Sequence, residues 1–383
     1  MDLRRQAGIY LHIPFCQSKC PYCSFFSFVP GQGEMRELVV ALQRHIVQVA
    51  ALPEVQDLGF STLFIGGGTP SMLPVEVLAD LLALCLHTFT WSSLTPEISI
   101  EVNPATIEEK GLVRLRRAGF NRLSIGIQSL DDRELRNLGR IHSRKQALAT
   151  ISAARYAGFA NLSCDLMYGL PGQSPDSWRQ TLEEIITAGP QHLSLYELTV
   201  EEGTPLWGQV ASGQCVLPPE EEVLAMMDQT QALTAQAGLE RYEISNYALP
   251  KDQCRHNLNY WHNGFYLGLG PGSVSALGGE RRAAVADLRR YCHLVQQGQL
   301  VWEEVERLDA EAAFRETMVM GLRMVDGVSI DALRFRFGFD PVAYYGPTLE
   351  QLVAQGLLIL EQGRLRLTAM GLPLANMVMA QLV

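Results

Sequence analysis

Three cysteines fall close together in a segment rich in aromatic residues, Tyr10-Leu11-His12-Ile13-Pro14-Phe15-Cys16 running on through Lys19-Cys20-Pro21-Tyr22-Cys23. The spacing is Cys-x3-Cys-x2-Cys. Thiolates are the usual ligands of iron-sulfur clusters, and three on one short loop can hold three irons of a 4Fe-4S cubane while the fourth iron stays open. An open iron can chelate the amino and carboxylate groups of S-adenosylmethionine (SAM), which sets the sulfonium beside an electron donor able to cleave it reductively to a carbon radical. Two plainer readings compete. Positions i, i+4 and i+7 could form an apolar helix stripe, cysteine being a common core residue, but Pro14 and Pro21 oppose a helix. A structural zinc site wants four ligands in paired Cys-x-x-Cys units, whereas Cys85, Cys164, Cys215, Cys254 and Cys292 are scattered singly.

Other residues invite chemistry more weakly. In Gly66-Gly67-Gly68-Thr69-Pro70 the missing side chains let backbone approach a ligand, although a glycine run is more often only a turn. Glu101 places a charge where a strand would carry an apolar residue, and a carboxylate there can pair with a cationic or hydroxyl group. His256 sits in His256-Asn257-Leu258-Asn259-Tyr260-Trp261, where the bland reading is a hydrogen-bonded structural histidine with its aromatic neighbours in the core.

The elements that must position these residues follow a βα rhythm. Short apolar or β-branched runs at Gly8–Ile13, Thr62–Ile65, Glu97–Glu101, Arg122–Ile127, Asn161–Met167 and His192–Leu198 alternate with helical spacing at Glu34–Ala51, Val75–Phe89, Glu108–Ala118, Arg144–Ala157 and Pro175–Thr187. Such alternation predicts a parallel sheet with right-handed crossovers, open or curled. The unusual residues all fall at the carboxyl ends of these strands, the edge where α/β folds build their sites.

The rhythm stops after about Glu201, and Gly203-Thr204-Pro205 with Pro218-Pro219 marks a connection. Three regions are expected: a barrel core over 1–205, an extension carrying the His256 string over 206–300, and a C-terminal unit over 301–383. In the last, helical spacing from Leu308 is followed by two strands around Glu361-Gln362-Gly363, which predicts a winged-helix-like module.

The 383 residues exceed what one hydrophobic core usually serves. A net charge of −10 argues against a phosphate-neutralising surface, so no nucleic acid is expected as partner and the winged module is read as a packing or protein-docking unit. No apolar h-region follows Met1–Ala7 and no run reaches the roughly 18 apolar residues of a membrane span. A cytoplasmic protein is expected, whose eight cysteines are thiols or metal ligands.

The cysteine loop, Gly66-Gly67-Gly68-Thr69-Pro70, Glu101-Val102-Asn103-Pro104, Gly126-Ile127-Gln128-Ser129, Gly139-Arg140-Ile141-His142 and Asp165-Leu166-Met167-Tyr168-Gly169-Leu170-Pro171 together resemble the anaerobic coproporphyrinogen III oxidase (HemN-like) family of radical SAM proteins. The His256 string is similar to the His-Asn-x-x-Tyr-Trp signature of the HemW-type heme chaperone branch. The resemblance implies an α/β fold built on a partial (β/α)6 barrel followed by a C-terminal α+β region. It implies a cluster on Cys16, Cys20 and Cys23. It also implies SAM contacts from Tyr10, Tyr22, Gly67, Gly68, Thr69, Glu101, Gln128, Arg140 and Asp165, with Arg140 facing a carboxylate and Asp165 ribose hydroxyls. Heme enters through His256 as an axial ligand, with His262 a weaker second. Acceptor hemoproteins such as respiratory enzymes, and a reductant protein such as flavodoxin, are the partners this branch implies.

In the dehydrogenase of the same family the loop carries a fourth cysteine two residues on, where this chain has Phe25, and a longer segment precedes it, where only nine residues precede Tyr10 here. Both favour a heme-binding and heme-transferring chaperone over an enzyme acting on a porphyrinogen, whether an oxygen-independent coproporphyrinogen III oxidase or a radical methyltransferase. Two departures stand out. Ser24 replaces the acidic residue usual after the third cysteine, and Val274 replaces a histidine of the Gly268-Leu269-Gly270-Pro271-Gly272-Ser273 loop.

Overall fold

The computed structural model describes residues 5–383. The six expected strands are β1 (Arg5–Ile13), β2 (Leu58–Gly67), β3 (Glu97–Val102), β4 (Arg122–Gln128), β5 (Asn161–Tyr168) and β6 (His192–Glu197). They pair in that order, all parallel. Helices Glu34–Ala50, Val75–Thr88, Glu109–Ala118, Arg144–Tyr156 and Pro175–Thr187 lie between them in the chain. One alternate set of strand residues, Leu11, Ile65, Ile100, Ile125, Leu166 and Leu195 among them, is buried with the helices in a single core. The other set, to which Tyr10, Glu101, Ser124, Asp165 and Ser194 belong, faces the opposite side by the two-residue period of a strand. The concave face is therefore polar.

Six further strands extend this sheet. Strands β7 (Glu240–Arg241) and β8 (Asn246–Ala248) add antiparallel beyond β6. At the other side β9 (Phe265–Leu269) pairs parallel with β1, followed antiparallel by β10 (Val274–Leu277), β11 (Glu280–Ala284) and β12 (Trp302–Arg307). The described residues thus form a 12-stranded sheet whose end strands β12 and β7 do not meet, an incomplete barrel. The outermost strand β12 exposes Glu303, Glu304, Val305 and Glu306. Residues 206–300 contribute strands to both flanks of the large sheet, and β12 joins it through its ladder with β11.

A second core, including Phe314, Met318, Leu352, Leu365 and Val378, begins after β12. Helix Ala310–Gly321, strand β13 (Val328–Ser329), helices Ile330–Phe337 and Pro341–Ala354, and the hairpin β14 (Leu358–Glu361) and β15 (Arg364–Leu367) follow in the order of a winged helix, with sheet order β13-β15-β14. Gln362 and Gly363 take positive φ of 52° and 72° at the hairpin turn, the left-handed pair that a two-residue connection requires. No helix among the described residues is long and apolar enough to cross a membrane.

Candidate functional site

The cysteine loop leaves β1 and is zipped to its neighbours by backbone. The Cys16 N–H donates to the Phe28 carbonyl at 2.9 Å, and Phe28 donates back to Pro14 at 2.8 Å. Gly68 and Thr69, after β2, donate to Ile13 and Phe15 at 2.8 and 2.7 Å. A Cβ on Gly68 would lie 2.7 Å from the Phe15 carbonyl oxygen, so only glycine permits the two loops to meet. Gly67 beside it has φ of +116°.

Both loops open onto one cavity of about 450 Å³, a size suited to one small ligand. Cys16, Cys20, Cys23, Tyr22, Gly67, Gly68, Thr69, Glu101, Gln128, Arg140 and Asp165 all line it. Of the expected site residues, Tyr10, His256 and the weaker candidate His262 do not line it. The three cysteines are half-buried, whereas Cys85, Cys164 and Cys254 are fully inside. Each of the three has a polar neighbour: the Thr69 hydroxyl lies 3.8 Å from Cys16 Sγ, an Arg140 guanidinium nitrogen 3.9 Å from Cys20 Sγ, and the Ser27 hydroxyl 4.0 Å from Cys23 Sγ. Burial pushes the Cys16 thiol up, so this thiolate needs a cation beside it. Among the described residues no three His, Cys, Asp or Glu side chains gather round one ion.

The strand ends supply the other wall. Gln128 closes β4 at φ +68°, just past a register shift between Gly126 and Gln128. A non-glycine residue held left-handed at a bulge costs about 1–3 kcal/mol and is characteristic of functional positions. Arg140 donates to the Gly126 carbonyl at 2.6 Å, and its buried Nε has no protein partner. Asp165 accepts from Ser124 at 2.9 and 3.0 Å and from Ser163 at 3.1 Å. Burial nevertheless raises its carboxyl above the usual range. Burial, with Asp165 adding repulsion, pushes the Glu101 carboxyl up to about 8 against the opposing bond from the Gly67 N–H at 3.2 Å.

Thiols, a guanidinium nitrogen without a partner and two destabilised carboxyls fit a ligand carrying a carboxylate, a cationic centre and hydroxyls, as SAM does. Bound there, SAM would contribute reductive cleavage of its sulfonium. The chain's own residues would hold its ends and fix the charge. One consequence can be measured. A cation beside Glu101 favours the carboxylate, so below about pH 8 binding must expel the Glu101 proton. Affinity for SAM is then expected to rise with pH, by up to about tenfold per unit, and to level off above about 8. The ratio of wild-type to Glu101→Gln affinities across pH 6–9 isolates this effect, because the ligand's own amino group titrates alike in both. A ratio independent of pH would remove Glu101 from the cationic end.

Tyr10 lies outside the cavity lining. Its hydroxyl donates to His12 Nδ1 at 3.0 Å, and His12 Nε2–H in turn donates to the Phe26 carbonyl at 2.9 Å, pinning the cysteine loop from behind. His256 is also elsewhere. It is 1% exposed, with Nδ1 2.8 Å from the Thr62 hydroxyl and Nε2 3.0 Å from the Tyr260 hydroxyl, and its ring stacks on Phe64 at 5.3 Å. Burial pushes its pKa down to about 3. Both nitrogens are committed, so in this arrangement neither reaches an iron, and the expected axial role meets a physical obstacle. Its helix (Arg255–Trp261) is fastened by Glu97 at the start of β3, whose carboxylate accepts the Arg255 and His256 N–H groups at 2.9 and 3.0 Å. Val274, at the head of β10, pairs with Ala283 and does not line the cavity. The sequence reading missed His12, Ser124, Ser163 and Glu97. For His12 a signal existed, since the two-residue strand period sets it on the face of Tyr10.

Residues 10–185 match the radical SAM superfamily and residues 308–374 the HemN C-terminal domain. Over 367 residues the chain is 32% identical to the heme chaperone HemW of Bacillus subtilis, covering 96% of both proteins. It belongs to the HemW family of radical SAM proteins. A HemW of Mycobacterium tuberculosis is 34% identical over 98% of this chain and 94% of its own. The structure of coproporphyrinogen III oxidase (HemN) from Escherichia coli, described as a radical SAM enzyme, superposes with a TM-score of 0.85 at 26% identity, over 99% of this chain and 90% of that one. The HemW-family assignment therefore extends to the C-terminal module and to the sheet flanks, whose residues carry no cysteine motif.

Proposed function

We propose that the protein is a heme chaperone: it binds heme and transfers it to acceptor hemoproteins, and it carries a 4Fe-4S cluster on Cys16, Cys20 and Cys23 whose open iron takes SAM. Full-length similarity to proteins named heme chaperones carries this reading. The cavity supports the SAM part, since it gathers the three thiols with Arg140, Glu101 and Asp165. A cytoplasmic location, respiratory or other hemoproteins as acceptors, and a flavodoxin-like reductant complete the proposal. His256 enters it as the structural anchor of its helix. His262, at the end of the same helix and exposed, is the histidine of this segment that a heme iron can approach.

The likeness to coproporphyrinogen III oxidase favours a second reading, conversion of a porphyrinogen. Against it, Phe25 stands where that enzyme's loop carries a further cysteine, and it is 66% exposed at the cavity mouth. Anaerobic titration of the cluster-loaded chain with heme, run beside an assay of coproporphyrinogen III with SAM and a reductant, separates the two. Heme binding without product is the expected result. Cluster-dependent formation of protoporphyrinogen would replace the chaperone by the enzyme.

A further inference from the structure

The buried concave face holds a chain of hydrogen bonds that leads away from the ligand cavity. The Ser163 hydroxyl donates to Asp165 at 3.1 Å and contacts His192 Nδ1 at 2.8 Å, and His192 Nε2 lies 2.8 Å from the Tyr242 hydroxyl. That hydroxyl oxygen accepts the Cys254 N–H at 3.3 Å, at the head of the helix carrying His256. One assignment of protons satisfies every link. Ser163 gives its hydrogen to the carboxylate, so its oxygen accepts from His192 Nδ1–H. Nε2 is then the acceptor for Tyr242 O–H, which leaves the Tyr242 oxygen free to accept from Cys254. His192 is wholly buried, and burial holds its pKa well below the usual range, so the ring stays neutral and the direction is kept.

Tyr242 also faces the C-terminal module. Its carbonyl accepts the Val325 N–H at 3.0 Å, the Ile244 N–H donates to Arg323 at 3.0 Å, and Glu243 pairs with Met324 in an isolated antiparallel bridge. Trp261, at the far end of the His256 helix, lies under the Arg323 guanidinium at 4.4 Å. One residue thus joins the support of Asp165, the signature helix and the module, none of whose residues line the cavity.

We propose that Tyr242 is a positioning residue that couples occupation of the Asp165 site by SAM to the order of residues 254–262 and 323–326. The inference rests on the proposed binding of SAM. A ligand hydroxyl on Asp165 fixes the carboxylate, the fixed carboxylate fixes the Ser163 hydroxyl, and consecutive bonds in a dry interior polarise and strengthen one another. Coupling of this kind is reciprocal, so loosening Tyr242 weakens SAM binding as much as SAM tightens Tyr242.

The test is amide hydrogen exchange on the full-length, cluster-loaded protein, with and without saturating SAM, in wild type, Tyr242→Phe and Ser163→Ala. In wild type SAM is expected to slow exchange at Cys254–His256 and Val325 by about fivefold or more, the low end of measured couplings between sites. Tyr242→Phe keeps the ring and removes the hydroxyl, and it should erase this protection at saturating SAM. Ser163→Ala breaks the chain at its other end, should do the same, and serves if the tyrosine variant fails to fold. Equal protection in wild type and both variants overturns the proposal, as does SAM binding that leaves these amides unchanged in wild type. Failure to bind SAM at all, read directly by calorimetry on the same sample, overturns the SAM reading together with the inference.

Discussion

Single replacement of Cys16, Cys20 or Cys23 by serine will abolish reconstituted iron and sulfide, while Cys85→Ser, Cys254→Ser and Cys292→Ser will leave them near wild-type. A cubane held by three thiolates has no spare ligand, and a serine hydroxyl is a far poorer donor to iron than a thiolate. The geometry separates the two groups of cysteines. Cys16, Cys20 and Cys23 open onto the cavity, each beside a hydroxyl or guanidinium. Cys254 is sealed at the head of its helix, 3.6 Å from Glu97, and Cys85 is buried in the main core. Iron and sulfide analysis with the broad absorption of the anaerobic protein measures the outcome. Retention of a full cluster in any of the first three variants would falsify the assignment, and its loss on changing Cys254 alone would redirect it.

The second large effect belongs to His256. Its removal opens a cavity against Phe64 and strands the buried Thr62 hydroxyl and the part-buried Tyr260 hydroxyl. A large-to-small change of this kind costs about 2–5 kcal/mol, and each stranded polar group adds about 1–3 kcal/mol. Denaturation of the apoprotein should therefore show His256→Ala to be strongly destabilised. The heme-bound spectrum of the folded protein should keep its Soret position. His262→Ala should do the reverse, with near-normal stability and a shifted Soret band. A wild-type Soret lost in His256→Ala at full folding would mean that the ring leaves both of its partners to meet iron.

The contrast marks where sequence reading stops. Strand period and cysteine spacing are local, and they placed β1 to β6, the cysteine loop and the carboxyl-end edge, because each is dictated by residues close in the chain. The position of His256 is not local. Its spacing to Tyr260 on a helix made that contact readable, since i and i+4 share a face. Thr62 and Glu97, which complete its surroundings, lie 194 and 159 residues away. The same holds for β9. Phe265–Leu269 is a short run far from β1 in sequence, and only tertiary pairing reveals it as a seventh parallel strand. The polar concave face was hidden for another reason: serine at 124, 163 and 194 reads as a weak strand residue until the register puts Ser124 beside Ser163 and Asp165 beside Ser194.

An incomplete barrel leaves a margin that a closed one lacks. The outer rim of β12 offers unpaired backbone groups to any passing chain, and extended edges of that kind template aggregation. Here the rim is guarded by Glu303, Glu304 and Glu306, all exposed. Glu303 and Glu306 are ion-paired to Arg290 and Arg281, so Glu304 is the rim carboxylate that two copies approaching edge to edge would set against its own like. The guard is electrostatic and exposed, so salt, which screens surface charges within about 10 Å at 0.1 M, weakens it.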